Sequence, residues 1–154
     1  MRKINPDDVH VHKAVILQTY DGDTFKVIID TDFFNTHTTN LRLYGLDTKE
    51  SRGKGKCKEG IEVYKKVLRQ LLPGGEDLDD ATIVNIMKAQ KRRKFVPGTI
   101  DFRPILVRTH KIGKYAGRYL GEVIILRDGK QINLNQWLLK NKYAKGYWGG
   151  KRDL

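Results

Sequence analysis

Short apolar runs separated by turn residues fill the first third of the chain, a pattern of strands rather than helices. Val9 to Thr19 predicts a first strand around Ala14-Val15-Ile16-Leu17. Asp21-Gly22-Asp23 is an Asp-Gly turn signal between two such runs. Phe25 to Ile29 predicts the second strand, alternating around Lys26. Asp30 to Asn40 is polar and Thr-rich and predicts a long hairpin connection. Leu41 to Leu46 predicts the third strand, with Leu41, Leu43 and Gly45 on one face and Arg42, Tyr44 and Leu46 on the other.

The period changes after Asp47. A Lys-, Arg- and Gly-rich loop over Lys49 to Lys58 leads to a predicted helix from Glu59 to Leu72. Ile61, Tyr64, Val67, Leu68, Leu71 and Leu72 form its apolar stripe at helical spacing, and Pro73-Gly74-Gly75 ends it. A second helix is predicted over Leu78 to Arg93, acidic at its start and basic at its end, as the helix dipole favours. Ile105 to Thr109 and Tyr119 to Leu126 predict two more strands, with a turn at Asp128-Gly129. Asn135 is a candidate cap for a last helix with Trp137, Leu138 and Tyr143 on its apolar face. Five short strands with a helix after the third and another at the end predict an α+β, mainly β fold: a five-stranded OB-fold barrel with flanking helices. Residues 1–154 read as one domain, with 73–104 a helical insertion and 146–154 a basic tail.

Charge narrows the function classes. Thirty Lys and Arg against eighteen Asp and Glu leave a net charge of +12, which favours polyanionic partners. No apolar run approaches the ~18 residues that a spanning helix needs, so no membrane partner is expected. The first residues lack an apolar signal core, and the lone Cys57 has no intramolecular partner for a disulfide. The expectation is an intracellular or cytoplasmic monomer that meets nucleic acid.

Two clusters carry chemistry. Asp23, Arg42, Asp47, Thr48 and Glu50 place three carboxylates, an arginine and a threonine at a turn and a strand end. Hard divalent cations such as Ca²⁺ bind carboxylate, carbonyl and water oxygens; Asp23 and Asp47 can supply carboxylates and Thr48 its carbonyl. Lys114-Tyr115-Ala116-Gly117-Arg118 adds a cation, a phenol and a guanidinium. Together they suit phosphodiester hydrolysis: Arg42 and Arg118 as donors to the transition state, Glu50 as the group that places or deprotonates water.

The segments Asp21-Gly22-Asp23-Thr24, Leu41 to Glu50, Lys114 to Val123 and Leu134 to Tyr147 make the chain similar to the staphylococcal nuclease (thermonuclease) family, with Arg42, Asp47 and Glu50 at the family's spacing. The resemblance implies an OB barrel and a Ca²⁺-dependent endonuclease of DNA and RNA, with Mg²⁺ or Mn²⁺ as alternative ions. It implies Asp23, Asp47 and Thr48 as metal ligands. It implies Arg42, Glu50 and Arg118 as catalytic residues, and Lys114, Tyr115 and Tyr147 as nucleotide contacts. The chain departs from the family pattern in having Lys49 where a proline is usual, Ala116 inserted before Gly117, and a longer segment after the first helix. The alternative reading is a non-catalytic OB module that binds single strands. Taken singly, His10 with His12, Cys57 and the basic run Lys88 to Lys94 read more simply as surface features than as sites.

Overall fold

A computed structural model describes residues 10–51, 57–115 and 118–146, and of residues 110–115 and 118 the backbone alone. Five strands close into a barrel: β1 (Val11–Asp21), β2 (Thr24–Asp30), β3 (Thr36–Leu43), β5 (Ile105–Tyr115) and β6 (Arg118–Arg127). Their order is β3-β2-β1-β5-β6, and a parallel pairing of β3 with β6 joins the ends. A three-strand meander, a helix after the third strand and a parallel closure are the OB arrangement. The fold is α+β with an OB-like barrel. A short β7 (Lys130–Asn133) pairs antiparallel with β6, and β4 (Leu46–Thr48) pairs with β8 (Ala144–Gly146).

The barrel closes because alternate residues on each strand are apolar. Ala14 and Ile16, Phe25, Val27 and Ile29, Leu41 and Leu43, Ile105 and Val107, and Val123 and Ile125 all point into one core. Helix α1 (Lys58–Leu71) adds Val63, Tyr64, Val67, Leu68 and Leu71. Removing a fully buried leucine here, as in Leu68→Ala, would cost about 2–5 kcal/mol. Cys57 caps α1, its Sγ accepting from Gly60 N at 3.3 Å. Leu72, held extended ahead of Pro73, ends it, since a residue before proline avoids helical backbone.

Several boundaries differ from the expected ones. The connection after β2 shrinks to residues 31–35, because Thr36 to Asn40 is strand. Those residues are largely exposed on both faces, so no apolar alternation marked them, while their β-branched threonines suit extended backbone. The expected strand 41–46 breaks in two: Gly45 turns the chain at φ 80°, leaving Leu46–Thr48 as a separate strand. Helix α2 is shorter than expected, Asp80–Lys91, because Asp79 caps it by accepting from Thr82 N at 2.9 Å.

The last helix, α3 (Leu134–Lys140), is capped by Asn133 and not by Asn135. Asn135 is instead buried, joining three elements. Its Oδ1 accepts from Val123 N at 3.0 Å, and its Nδ2 donates to Tyr44 O at 2.9 Å and Gly121 O at 3.2 Å. The segment 73–104 packs on the barrel. Ile83, Met87 and Phe102 enter the core, and Gln90 reaches β1. Among the described residues, no helix is long and apolar enough to cross a membrane.

Candidate active site at the mouth of the barrel

The β1–β2 turn and the end of β3 meet because Thr24 pairs with Arg42 across the sheet. Asp23 lies in that turn and is 5% exposed. Its carbonyl accepts from Leu43 N at 2.9 Å. Its Oδ1 accepts from Thr24 Oγ1 at 3.1 Å and its Oδ2 from Thr48 N at 3.1 Å. The carboxylate therefore has a fixed orientation. Arg42 Nη2 donates to Asp47 Oδ1 at 2.6 Å and stands 3.7 Å from Asp23 Oδ2. One guanidinium nitrogen thus touches both carboxylates, which face a common point. Pairing with β8 holds Asp47 and Thr48 in place.

Glu50 follows at the rim with an exposed side chain. Its backbone is fastened to α1: the carbonyl accepts from Cys57 N at 3.0 Å. Helix α1 approaches so closely at Gly60 that a Cβ there would collide with that carbonyl. Lys49, which stands where a proline was expected, pairs through Nζ with Glu59 of the first turn of α1. The ion pair ties the turn to the helix by charge, where a proline would stiffen it by its ring.

A pocket of about 490 Å³ opens here, lined by Asp21, Asp23, Asp47, Glu50, Arg42 and Asn40 together with Tyr20 and Thr24. Among the described residues, four carboxyl groups thus share the lining with one guanidinium. Asp21 feels both its burial and these acidic neighbours. Burial pushes its carboxyl up from the ordinary 3.8 to about 6, and the charges of Asp23 and Glu50 push in the same direction. Hydrogen bonds to its Oδ1 from Ser51 Oγ at 2.6 Å and Gly22 N at 2.7 Å oppose the rise without cancelling it. Asp21 and Ser51 escaped the sequence reading. The first acid of the Asp-Gly-Asp signal was the available clue, but a turn explained it sufficiently.

The donor set is all oxygen, as a hard divalent cation prefers. Among the described residues, no three His, Cys, Asp or Glu side chains stand together as a ready-made ligand group. Asp23 and Asp47 converge as a pair. Two carboxylates completed by carbonyl and water oxygens lie within the range such ions accept. Thr48 Oγ1 beside them is buried and makes no hydrogen bond. The residues present therefore fit such an ion through Asp23 and Asp47, with the remaining positions left to other oxygens.

Of the other expected residues, Arg118 opens β6, one position before Tyr119, which pairs with Leu41. Lys114 and Tyr115 end β5, opposite Tyr119 and Arg118. The backbone so brings this hairpin end beside the strand that carries Arg42; the three side chains lie outside the described set, as does all of Tyr147. In comparisons with known proteins, no family model and no curated protein matches the chain. What is shown is thus the closed OB-like barrel with an acidic pocket at its mouth.

Proposed function

We propose that the protein is a divalent-cation-dependent nuclease that hydrolyses phosphodiester bonds of DNA or RNA. The observation that carries this reading is the convergence of Asp21, Asp23, Asp47 and Glu50 around Arg42 in one pocket, in a chain of net charge +12. A basic protein that gathers four acids beside an arginine in one pocket has a site suited to a cation and to the anion it bridges. Asp23 and Asp47 would hold the ion, Ca²⁺ or another hard divalent cation, with the Thr48 carbonyl as a further oxygen. The bound ion would neutralise the scissile phosphate. Arg42 is placed to donate to a phosphoryl oxygen, and Arg118 is its proposed companion from β6. Glu50, exposed at the rim, orients or deprotonates the attacking water. Lys114, Tyr115 and Tyr147 are proposed nucleotide contacts.

One observation favours the second reading, a single-strand-binding module: Arg42 is already engaged by Asp47, and among the described residues no third acidic ligand joins Asp23 and Asp47. Cleavage of labelled single- and double-stranded DNA and of RNA, with Ca²⁺, with Mg²⁺ and with chelator, separates the two. Cutting that chelator stops and that Glu50→Gln reduces at least ~10²-fold supports the nuclease. Tight binding without cutting in any metal supports the module.

A further inference from the structure

A second concentration of charge stands at the end of α2. Lys88, Lys91, Arg92, Arg93 and Lys94 crowd five cations into one short run, with no acidic residue between Asp80 and Asp101. All five side chains are exposed. The helix dipole accounts for Lys88 and Lys91 in the last turn of α2. It does not account for Arg93 and Lys94, which lie beyond the helix end.

The run is fastened to the strand that leads into the pocket. Gln90, in its midst, is 4% exposed. Its Oε1 accepts from Thr19 N at 2.7 Å, and its Nε2 donates to Thr19 Oγ1 at 2.8 Å. Its carbonyl accepts from Gln18 Nε2 at 3.1 Å. Thr19 Oγ1 also hydrogen-bonds Tyr64 Oη of α1 at 2.7 Å, so three elements lock at this point. Beyond the run, Gly98 N donates to Leu17 O at 2.9 Å. Thr19 lies two residues before Asp21, about 7 Å along the strand.

Register then carries a polar row across the barrel. Gln18 pairs with Lys26 on β2, and Lys26 pairs with Asn40 on β3. Directly opposed residues share a face, so the three side chains cross the outer surface over about 10 Å. Asn40 lines the pocket.

We infer that the basic run and the row Gln18-Lys26-Asn40 form a track that holds the phosphates of a single strand of nucleic acid and leads it to the pocket. The track rests on the proposed function and deepens it, by assigning segment 73–104 a part in substrate binding. Binding of this kind releases counterions, so it falls with salt by about 0.7 in log–log slope per phosphate contact on a single strand.

The test is fluorescence anisotropy of a labelled oligothymidylate of about 15 nucleotides, within the site sizes of OB barrels. It is run in chelator, so that no cutting occurs, from about 50 to 200 mM salt. The combined Lys88→Ala, Arg92→Ala, Arg93→Ala and Lys94→Ala protein should lose about 2.8 from the slope, and Lys26→Met about 0.7. A control removing exposed charges away from the track, Lys13→Ala with Lys130→Ala and Lys140→Ala, should lose much less. An unchanged slope in the four-fold variant, or an equal loss per charge in the control, overturns the track while leaving the nuclease reading standing. No binding by the parent protein in chelator overturns the track; the nuclease reading is decided separately by the cleavage assay with metal. Loss of binding to phosphatidylserine vesicles with oligonucleotide binding intact would reassign the surface to membranes and also overturn it.

Discussion

Replacing Asp21 by asparagine should stabilise the protein at neutral pH, although it removes a charge from the candidate site. The folded carboxyl titrates near 6, against an ordinary 3.8. Between those values the folded protein holds a proton that the unfolded chain has released, so stability falls as pH rises through that window. Below it the carboxyl is protonated in both states and the penalty vanishes; above it the penalty is complete. A displacement of about two pH units corresponds to at most about 3 kcal/mol. Asp21 is only half-buried in an open pocket, and solvent screening reduces that to about 1–2 kcal/mol. Asparagine keeps an oxygen to accept from Ser51 and Gly22, so the hydrogen bonds survive. Chemical denaturation across pH 4 to 8 (about four units spanning the window) should show Asp21→Asn gaining about 1–2 kcal/mol at the alkaline end and little at the acid end. That gain corresponds to roughly 3–6 °C in Tm. If the pocket binds the proposed ion, saturating Ca²⁺ should narrow the gap, because a bound cation would favour the charged form of the neighbouring Asp21 carboxyl. Equal stability of the two proteins across the whole range would refute the reading of Asp21 as a carboxyl whose charged form is disfavoured by burial and its acidic neighbours.

Three further outcomes follow from the geometry. Gly60→Ala should destabilise by about 1–3 kcal/mol, since the new methyl displaces backbone at Glu50; it should lower kcat while leaving oligonucleotide binding in chelator unchanged. Asn135→Ala should lose about 2–4 kcal/mol in urea denaturation, because it takes the side-chain partner from the Val123 amide and the Tyr44 carbonyl, while the Gly121 carbonyl keeps Tyr44 N. Asn135→Asp keeps the acceptor for Val123 and should recover part of that loss only at acid pH, where a protonated carboxyl can donate once. Lys49→Ala removes a solvent-exposed pair with Glu59; a thermal melt should show no resolvable change, and a clear drop in Tm would show the pair contributing more than surface pairs do.

Much of the barrel was legible in the chain, because strands with one buried face must alternate and turns need particular residues. Phe25, Val27 and Ile29 announced β2, and Asp128-Gly129 announced the turn after β6, where both residues take positive φ. The stripe on α1 was equally plain, since a helix that caps a core needs apolar residues at helical spacing. The candidate acids Asp23, Asp47 and Glu50 with Arg42 stood out by residue type and spacing, and their meeting in one pocket depended on β2 pairing with β3. Tertiary structure alone decided the rest. Asn135 looked like a helix cap because asparagine favours that place; burial between three elements turned it into a bridge instead. Asp21 looked like half of a turn until Ser51, thirty residues on, donated to it and the neighbouring acids crowded it. Thr36 to Asn40 looked like loop because an edge exposed on both faces shows no alternation. Gln90 gave no signal at all, because a glutamine gains its role only from the strand it reaches, and that contact spans 71 residues of chain. Local periodicity specifies elements; which polar atoms become partners depends on distances that only the closed barrel sets.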